Sequence, residues 1–219
     1  MRRGLLVLLL VFAGACGSGG KGANRSNTPR ITVAAEGELA PGLLTETQLR
    51  QVPGLPTAKV TSLQDTAVFS DPDPRGPCGA KVSTFSLKDA VGIAITSDEI
   101  SSGVELVVRL PSGAAKKILD ARTANATAGC PEYQTVTHQG AVQRVLLVRN
   151  VKLTNEFQQA LAVVTAIKVG DSVRAATQIE VRRNDVLART VFFTNEPMED
   201  ATVRGVASLM GRDLAAFDS

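Results

Sequence analysis

Three cysteines, Cys16, Cys78 and Cys130, and a single histidine, His138, are the residues from which this 219-residue chain could draw nucleophilic, metal or acid-base chemistry. The common zinc sites need clusters of Cys and His, and the spacing here supplies none. A Ser/His/Asp triad would have to recruit His138, yet no serine lies in a G-x-S-x-G elbow. His138 shares a strand face with Glu132, Gln134 and Val136 and reads as a surface or structural residue. The acids Asp71, Asp73, Asp89, Asp98 and Glu99 lack the ligand spacing of a calcium loop, and Pro72 and Pro74 stiffen the first two, so they read as turn residues. The glycines of GSGGKG neither follow a strand nor open a helix, which makes them a linker rather than a phosphate cradle. The sequence therefore predicts no catalytic residue, no metal site and no cofactor.

Cys16 has a different context. Arg2 and Arg3 precede an apolar stretch over residues 4–14, and Ala13, Gly14 and Ala15 are small residues immediately before Cys16. A basic start, a short apolar core and a small-residue cleavage site are the layout of an export signal. The stretch is too short for a hydrocarbon core about 30 Å thick, which takes roughly 20 residues to cross. The segment VFAGAC resembles the bacterial lipobox, although Ala13 stands where that motif most often has Leu. The resemblance implies a signal peptide over residues 1–15, a diacylglyceryl group with palmitate-like chains on Cys16, and anchorage on the extracytoplasmic face of the cell membrane. Ordinary secretory cleavage nearby is the alternative.

An odd number of cysteines in an exported chain calls for an explanation, and lipidation of Cys16 leaves Cys78 and Cys130 as a pair. In an oxidising compartment that pair is expected to form one disulfide, closing a loop of about 50 residues and contributing roughly 4 kcal/mol in the chain-entropy description. Two buried free thiols are the other reading. Residues 16–38 are Gly-, Ser- and Asn-rich and form a flexible tether, leaving residues 39–219 for one globular domain. Hydrophobic residues make up 44% of the chain but aromatics only 4%, so the core must be aliphatic. Without Arg2 and Arg3 the 24 basic residues fall to 22 against 21 acidic, a near-neutral balance that argues against a nucleic-acid partner.

The domain opens on Thr45 and Gln48, spaced as a capping box for a short helix that Pro53 ends. Residues 59–69 can extend, and DPDPRGPCG makes a turn region carrying Cys78. Strands are expected over 90–96 and 104–110, joined by a turn at Ser101, Ser102 and Gly103. Ala115, Ile118, Leu119 and Arg122 fall at helical spacing in a segment that Ser112 can cap and Gly129 can end. Runs over 132–138, 141–149, 159–168, 173–182 and 187–194 then read as an antiparallel meander, with turns at Gln139-Gly140, Gly170-Asp171 and Asn184-Asp185. In the run 173–182, Val173, Ala175, Thr177, Ile179 and Val181 alternate with Arg174, Ala176, Gln178, Glu180 and Arg182, which predicts one buried and one wet face. The chain closes on a long helix over 197–217 with Val203, Val206, Ala207, Met210, Leu214 and Phe217 on one stripe. Helices in three places and strands without βαβ alternation give an α+β domain, an antiparallel sheet of about 6–7 strands with packed helices.

Arg174, Arg182, Arg183 and Arg189 could line a basic strip for anionic lipid or polysaccharide, though a solvated sheet edge is the simpler reading. The LLT opening at 43–45, the PCG around Cys78, the helix ending in Cys130, the later meander and the final helix together resemble exported actinobacterial lipoproteins. Their domain is similar to the extracellular sensor domain of mycobacterial PknH-type Ser/Thr kinases. The resemblance spans roughly residues 39–217 and implies an antiparallel sheet with helices, a groove suspected of binding a ligand, and no enzymatic activity. Three functions follow as expectations: a membrane-anchored ligand-binding or sensor-like module for a cell-wall or lipid ligand, a lipid or glycolipid carrier, or an envelope assembly factor acting through protein contacts.

Overall fold

A computed structural model describes residues 36–63, 73–75, 90–127, 132–136, 142–154, 157–169 and 172–218. Among them nine strands form one antiparallel sheet: β1 (Lys59–Ser62), β2 (Asp73–Arg75), β3 (Val91–Thr96), β4 (Ser102–Arg109), β5 (Glu132–Val136), β6 (Val142–Asn150), β7 (Gln159–Val169), β8 (Ser172–Arg183) and β9 (Val186–Thr194). Their order across the sheet is β1-β3-β4-β9-β8-β7-β6-β5-β2. The seven inner strands answer the expected six to seven. Short β1 and β2 add one edge strand at each side, and Pro74 is tolerated in β2 because an edge strand can spare one ladder donor. Asp73–Arg75, expected as part of a turn, thus pairs with β5.

Three helices are described: α1 (Glu46–Leu49), α2 (Ala114–Thr127) and α3 (Asp200–Leu214), the last continued by a 3-10 turn over Ala215–Phe217. The fold is α+β as expected, with the long C-terminal helix in place. The Thr45/Gln48 capping box forms: the Thr45 hydroxyl oxygen accepts from the Gln48 N–H at 3.3 Å and the Gln48 amide oxygen accepts from the Thr45 N–H at 2.7 Å. At the β8–β9 turn Arg183 pairs with Val186, and Asn184 takes a left-handed φ of 52°.

The β3–β4 turn differs from expectation. Ser102 and Gly103 belong to β4, and the connection over 97–101 is organised by the Ser97 hydroxyl oxygen, which accepts from the Glu99 and Ile100 N–H groups. Gly103 serves packing instead: a Cβ there would lie 2.6 Å from Phe192 Cδ1, so its missing side chain makes room for that ring.

The sheet is covered on both faces. On one, the stripe Val203, Val206, Ala207, Met210 and Leu214 of α3 is buried against Ile93, Ile95, Val107, Ala162, Val164, Ile179 and Phe192. Residues 39–54 lie beside α3, running in the opposite direction. Gly42 meets Leu214 and Phe217, Gln48 bonds Asp213, Val52 touches Gly205, and the Pro53 carbonyl accepts from the Thr202 hydroxyl at 2.7 Å. On the other face α2 lays Ala115 and Ile118 against a smaller cluster containing Leu106, Val108 and Leu187. The alternation along β8 therefore does not separate dry from wet: Ala176 and Glu180, on the face expected to be wet, are both buried, Glu180 beside Arg122 of α2. Val173, expected inside, is 57% exposed. No helix among the described residues is long and apolar enough to cross a membrane.

Candidate functional site

Among the described residues, buried acids occur in two places. Glu180 of β8 and Arg189 of β9 are opposite one another in the strand register, and the Arg189 Nε donates to Glu180 Oε1 at 2.7 Å. Arg122, one turn on from Leu119 along α2, donates to the same oxygen. The three side chains are 0%, 4% and 7% exposed in the order Glu180, Arg189, Arg122. A carboxylate met by two guanidinium groups beneath a helix is held as a structural ion cluster.

Glu105 of β4 lies on the opposite face, fully buried beneath the segment that leads into α1. Its Oε2 accepts from the Leu44 N–H at 2.8 Å. Its Oε1 has no hydrogen-bond partner among the described residues. Burial pushes the carboxyl up to about 8, the Leu44 N–H pulls the other way, and the negative charge of Asp213 adds to the rise. Asp213 is itself raised by partial burial, against the pull of Gln48, whose amide donates to both its oxygens at 2.9 and 3.0 Å. The surroundings of Glu105 therefore favour its protonated form.

An open groove lies at the β6–β7 connection. A hollow of about 400 Å³ is lined by Asn150, Val151, Leu153, Thr154, Phe157 and the start of β7 through Ala162. A second, of about 380 Å³, is lined by Lys152, Leu153, Thr154 and Arg204, so the two share Leu153 and Thr154. Local structure explains the shape. A register shift between Leu147 and Arg149 bulges β6, and Arg149 reaches α3, donating to Asp200 Oδ1 at 2.8 Å and to the Met198 carbonyl. The Val151 N–H then closes on the Ala162 carbonyl at 2.9 Å, and Phe157 lies against α3 at Gly211. Its walls mix apolar Val151, Leu153 and Phe157 with polar Asn150, Thr154 and Gln159, Lys152 and Arg204 line the second hollow, and the size falls in the roughly 300–1,000 Å³ range of small-molecule sites.

Of the residues singled out in the sequence, Cys16, Cys78, Cys130 and His138 lie outside the described residues, as do Gly170 and Asp171. Among the described residues no group of three or more His, Cys, Asp or Glu could hold a metal ion. The basic strip is not assembled. β8 and β9 are central strands rather than an edge, Arg189 is inside, and Arg183 is engaged with Asp218. Arg182 donates to Gln159 at 3.0 Å and to the Asn184 carbonyl at 2.9 Å. Sequence reasoning missed Glu105 as a functional group, although a lone acid inside VELVV is a visible signal. Glu180 carried no such signal, because its alternation with apolar neighbours is what a wet face would show.

No protein-family model matches the sequence, and no curated protein matches it either. Among solved structures, the chain is similar to the extracellular domain of PknH from Mycobacterium tuberculosis, with a TM-score of 0.53 and 10% identity. The match covers 85% of this chain and 100% of that one. At that identity the likeness is one of fold: this chain has the architecture of that extracellular domain, and the site residues must be argued from its own geometry.

Proposed function

We propose that this chain is a non-enzymatic, sensor-like ligand-binding module at the extracytoplasmic face of the cell membrane, held there by lipid on Cys16 and braced by a Cys78–Cys130 disulfide. The observation that carries the reading is the fold shared with a kinase's extracellular domain, spanning that domain's full length. The export layout before Cys16 agrees with it. The groove around Leu153 and Thr154 is the ligand site on this reading, its mixed polar and apolar walls suiting a cell-wall or lipid fragment. A carrier enclosing acyl chains between sheet and last helix is less favoured, because the α3 stripe is packed into the sheet with side chains at 0% exposure.

The test is a thermal-shift survey of the purified protein against cell-wall fragments and lipids, with Ala160→Trp as the groove-filling control. A concentration-dependent rise in Tm that the control loses is expected. No rise with any of them would defeat the ligand-binding reading. Intact-mass measurement after extraction from membranes tests the anchor: an acyl-free, freely soluble product would defeat that part.

A further inference from the structure

Residues 39–54 are held to the domain mostly by apolar side chains. Leu39, Leu43, Leu44, Leu49 and Val52 are buried in the α3-side core. The approach is close: a Cβ on Gly42 would stand 2.9 Å from Phe217 Cε2 and 3.2 Å from Val107 Cγ1. One polar contact ties the segment to the middle of the sheet, the Leu44 N–H on Glu105. The groups around that carboxyl make it sensitive to charge. From α3 the titratable neighbour is Asp213, a second acid, on which Arg212 acts. From α1 comes the uncharged Gln48, and from the flanking strands Ile93 and Thr190, which cannot ionise in this range. Arg109, on β4 itself, is engaged at the surface with Glu38, Nη1 to Oε1 at 2.5 Å.

We propose that Glu105 is a proton-operated latch: protonated, it holds residues 39–54 against β4 and α3, and on losing its proton to solvent it drives that segment off the sheet so that water can reach the carboxylate. A buried carboxylate with one hydrogen bond and an acid for a neighbour is costly, and lifting the Leu44 segment is the most direct way to hydrate it. In the closed state the carboxyl loses its proton only near pH 8, against an ordinary value of 4.5 once exposed. The closed state thus binds the extra proton between those limits. Closure is strongest below the lower limit, weakens as pH rises, and levels off above the upper one. The latch rests on the fold alone. On the tethered reading above, release would lengthen the tether that precedes residue 39.

Hydrogen exchange of the full chain, followed in peptides covering residues 39–54 and corrected for the intrinsic pH dependence of exchange, tests it. Protection of these peptides is expected to fall about tenfold per pH unit between pH 5 and 8, the slope of one released proton. Peptides from α2 and β8 should stay better protected than these at every pH, because the segment opens before the rest of the domain. Glu105→Gln should flatten it, and Asp213→Asn should shorten the window from its upper end. Flat protection in the wild type, or an unchanged slope in Glu105→Gln, overturns the latch. Should the Gln variant fail to fold, carbon-13 titration of the Glu105 carboxyl in the wild type decides: a midpoint above 7 supports the latch and one between 4 and 5 overturns it.

Discussion

Among the described residues, the two faces of the sheet each bury one glutamate at 0% exposure and treat it in opposite ways. Under α2, Glu180 is given two guanidinium groups, one from the neighbouring strand and one from the helix. Under the segment 39–54, Glu105 is given one backbone N–H and an acidic neighbour, and it keeps its proton. The difference follows from what covers each face. A helix that brings an arginine can neutralise a carboxylate, whereas a nearly all-apolar covering segment leaves protonation as the cheaper state. Burial of an acid is thus a fixed cluster on one side and a titratable contact on the other.

The largest expected effect breaks the fixed side. Glu180→Gln removes the anion between two buried guanidinium groups and should cost about 3–5 kcal/mol by urea denaturation. The triple replacement Arg122→Met, Glu180→Leu, Arg189→Met should instead be neutral or stabilising by about 1–4 kcal/mol, because apolar side chains of similar size need no desolvation. A triple variant as unstable as the single one would mean that the cluster does more than fill space.

The next effect belongs to the titratable side. Glu105 has a folded-state value raised to about 8 from 4.5, so its contribution is complete below the lower value and is lost as pH rises toward the upper. Global stability should fall by up to about 1.4 kcal/mol per pH unit in that interval, and Glu105→Gln should remove most of the slope, leaving the smaller part that raised Asp213 adds at its acid end. The depressed acids Glu99, Asp120 and Asp218 act in the other direction, losing their contribution only as pH drops below the ordinary carboxylate range. They do not mask the interval, and urea midpoints at four pH values would show the slope.

Smaller again is the cost of crowding the α3-side core. Gly103→Ala places a methyl 2.6 Å from the Phe192 ring, which is fully buried and cannot swing away. A loss of about 1–3 kcal/mol is expected, readable in the urea midpoint. A neutral outcome would mean that the Phe192 site has slack and that this face is less tightly packed than the contact implies.

Much of this architecture was legible. The α3 stripe, the α2 positions Ala115, Ile118, Leu119 and Arg122, and the meander from β5 to β9 follow from periodicity and turn residues. Three things were not. Alternation in β8 predicts which residues share a face but cannot say whether that face is covered, since a helix distant in sequence does the covering; Glu180 and Ala176 looked wet for that reason. Gly103 beside two serines has the composition of a turn, and only the position of Phe192, about 90 residues on, turns it into a packing device. The groove was not legible either. It depends on the Val148 bulge and on Arg149 reaching α3, neither of which leaves a trace in hydrophobic pattern.

The smallest expected effect asks whether the segment 39–54 has order of its own or borrows it from the sheet. Thr45→Ala removes the hydroxyl that accepts from the Gln48 N–H, and such losses cost about 0.5–2 kcal/mol, typically near 1. Gln48 also holds Asp213, so a looser cap should free the amide and raise the population with residues 39–54 detached. The change should appear in exchange protection of that segment, by about fivefold for 1 kcal/mol, and be equal at pH 5 and pH 8, because the lost contact carries no proton. An effect confined to pH 8 would mean that the cap and Glu105 act on one opening step whose barrier the carboxylate sets. Equal effects would separate a local helix stop from the buried acid that governs the segment's response to pH.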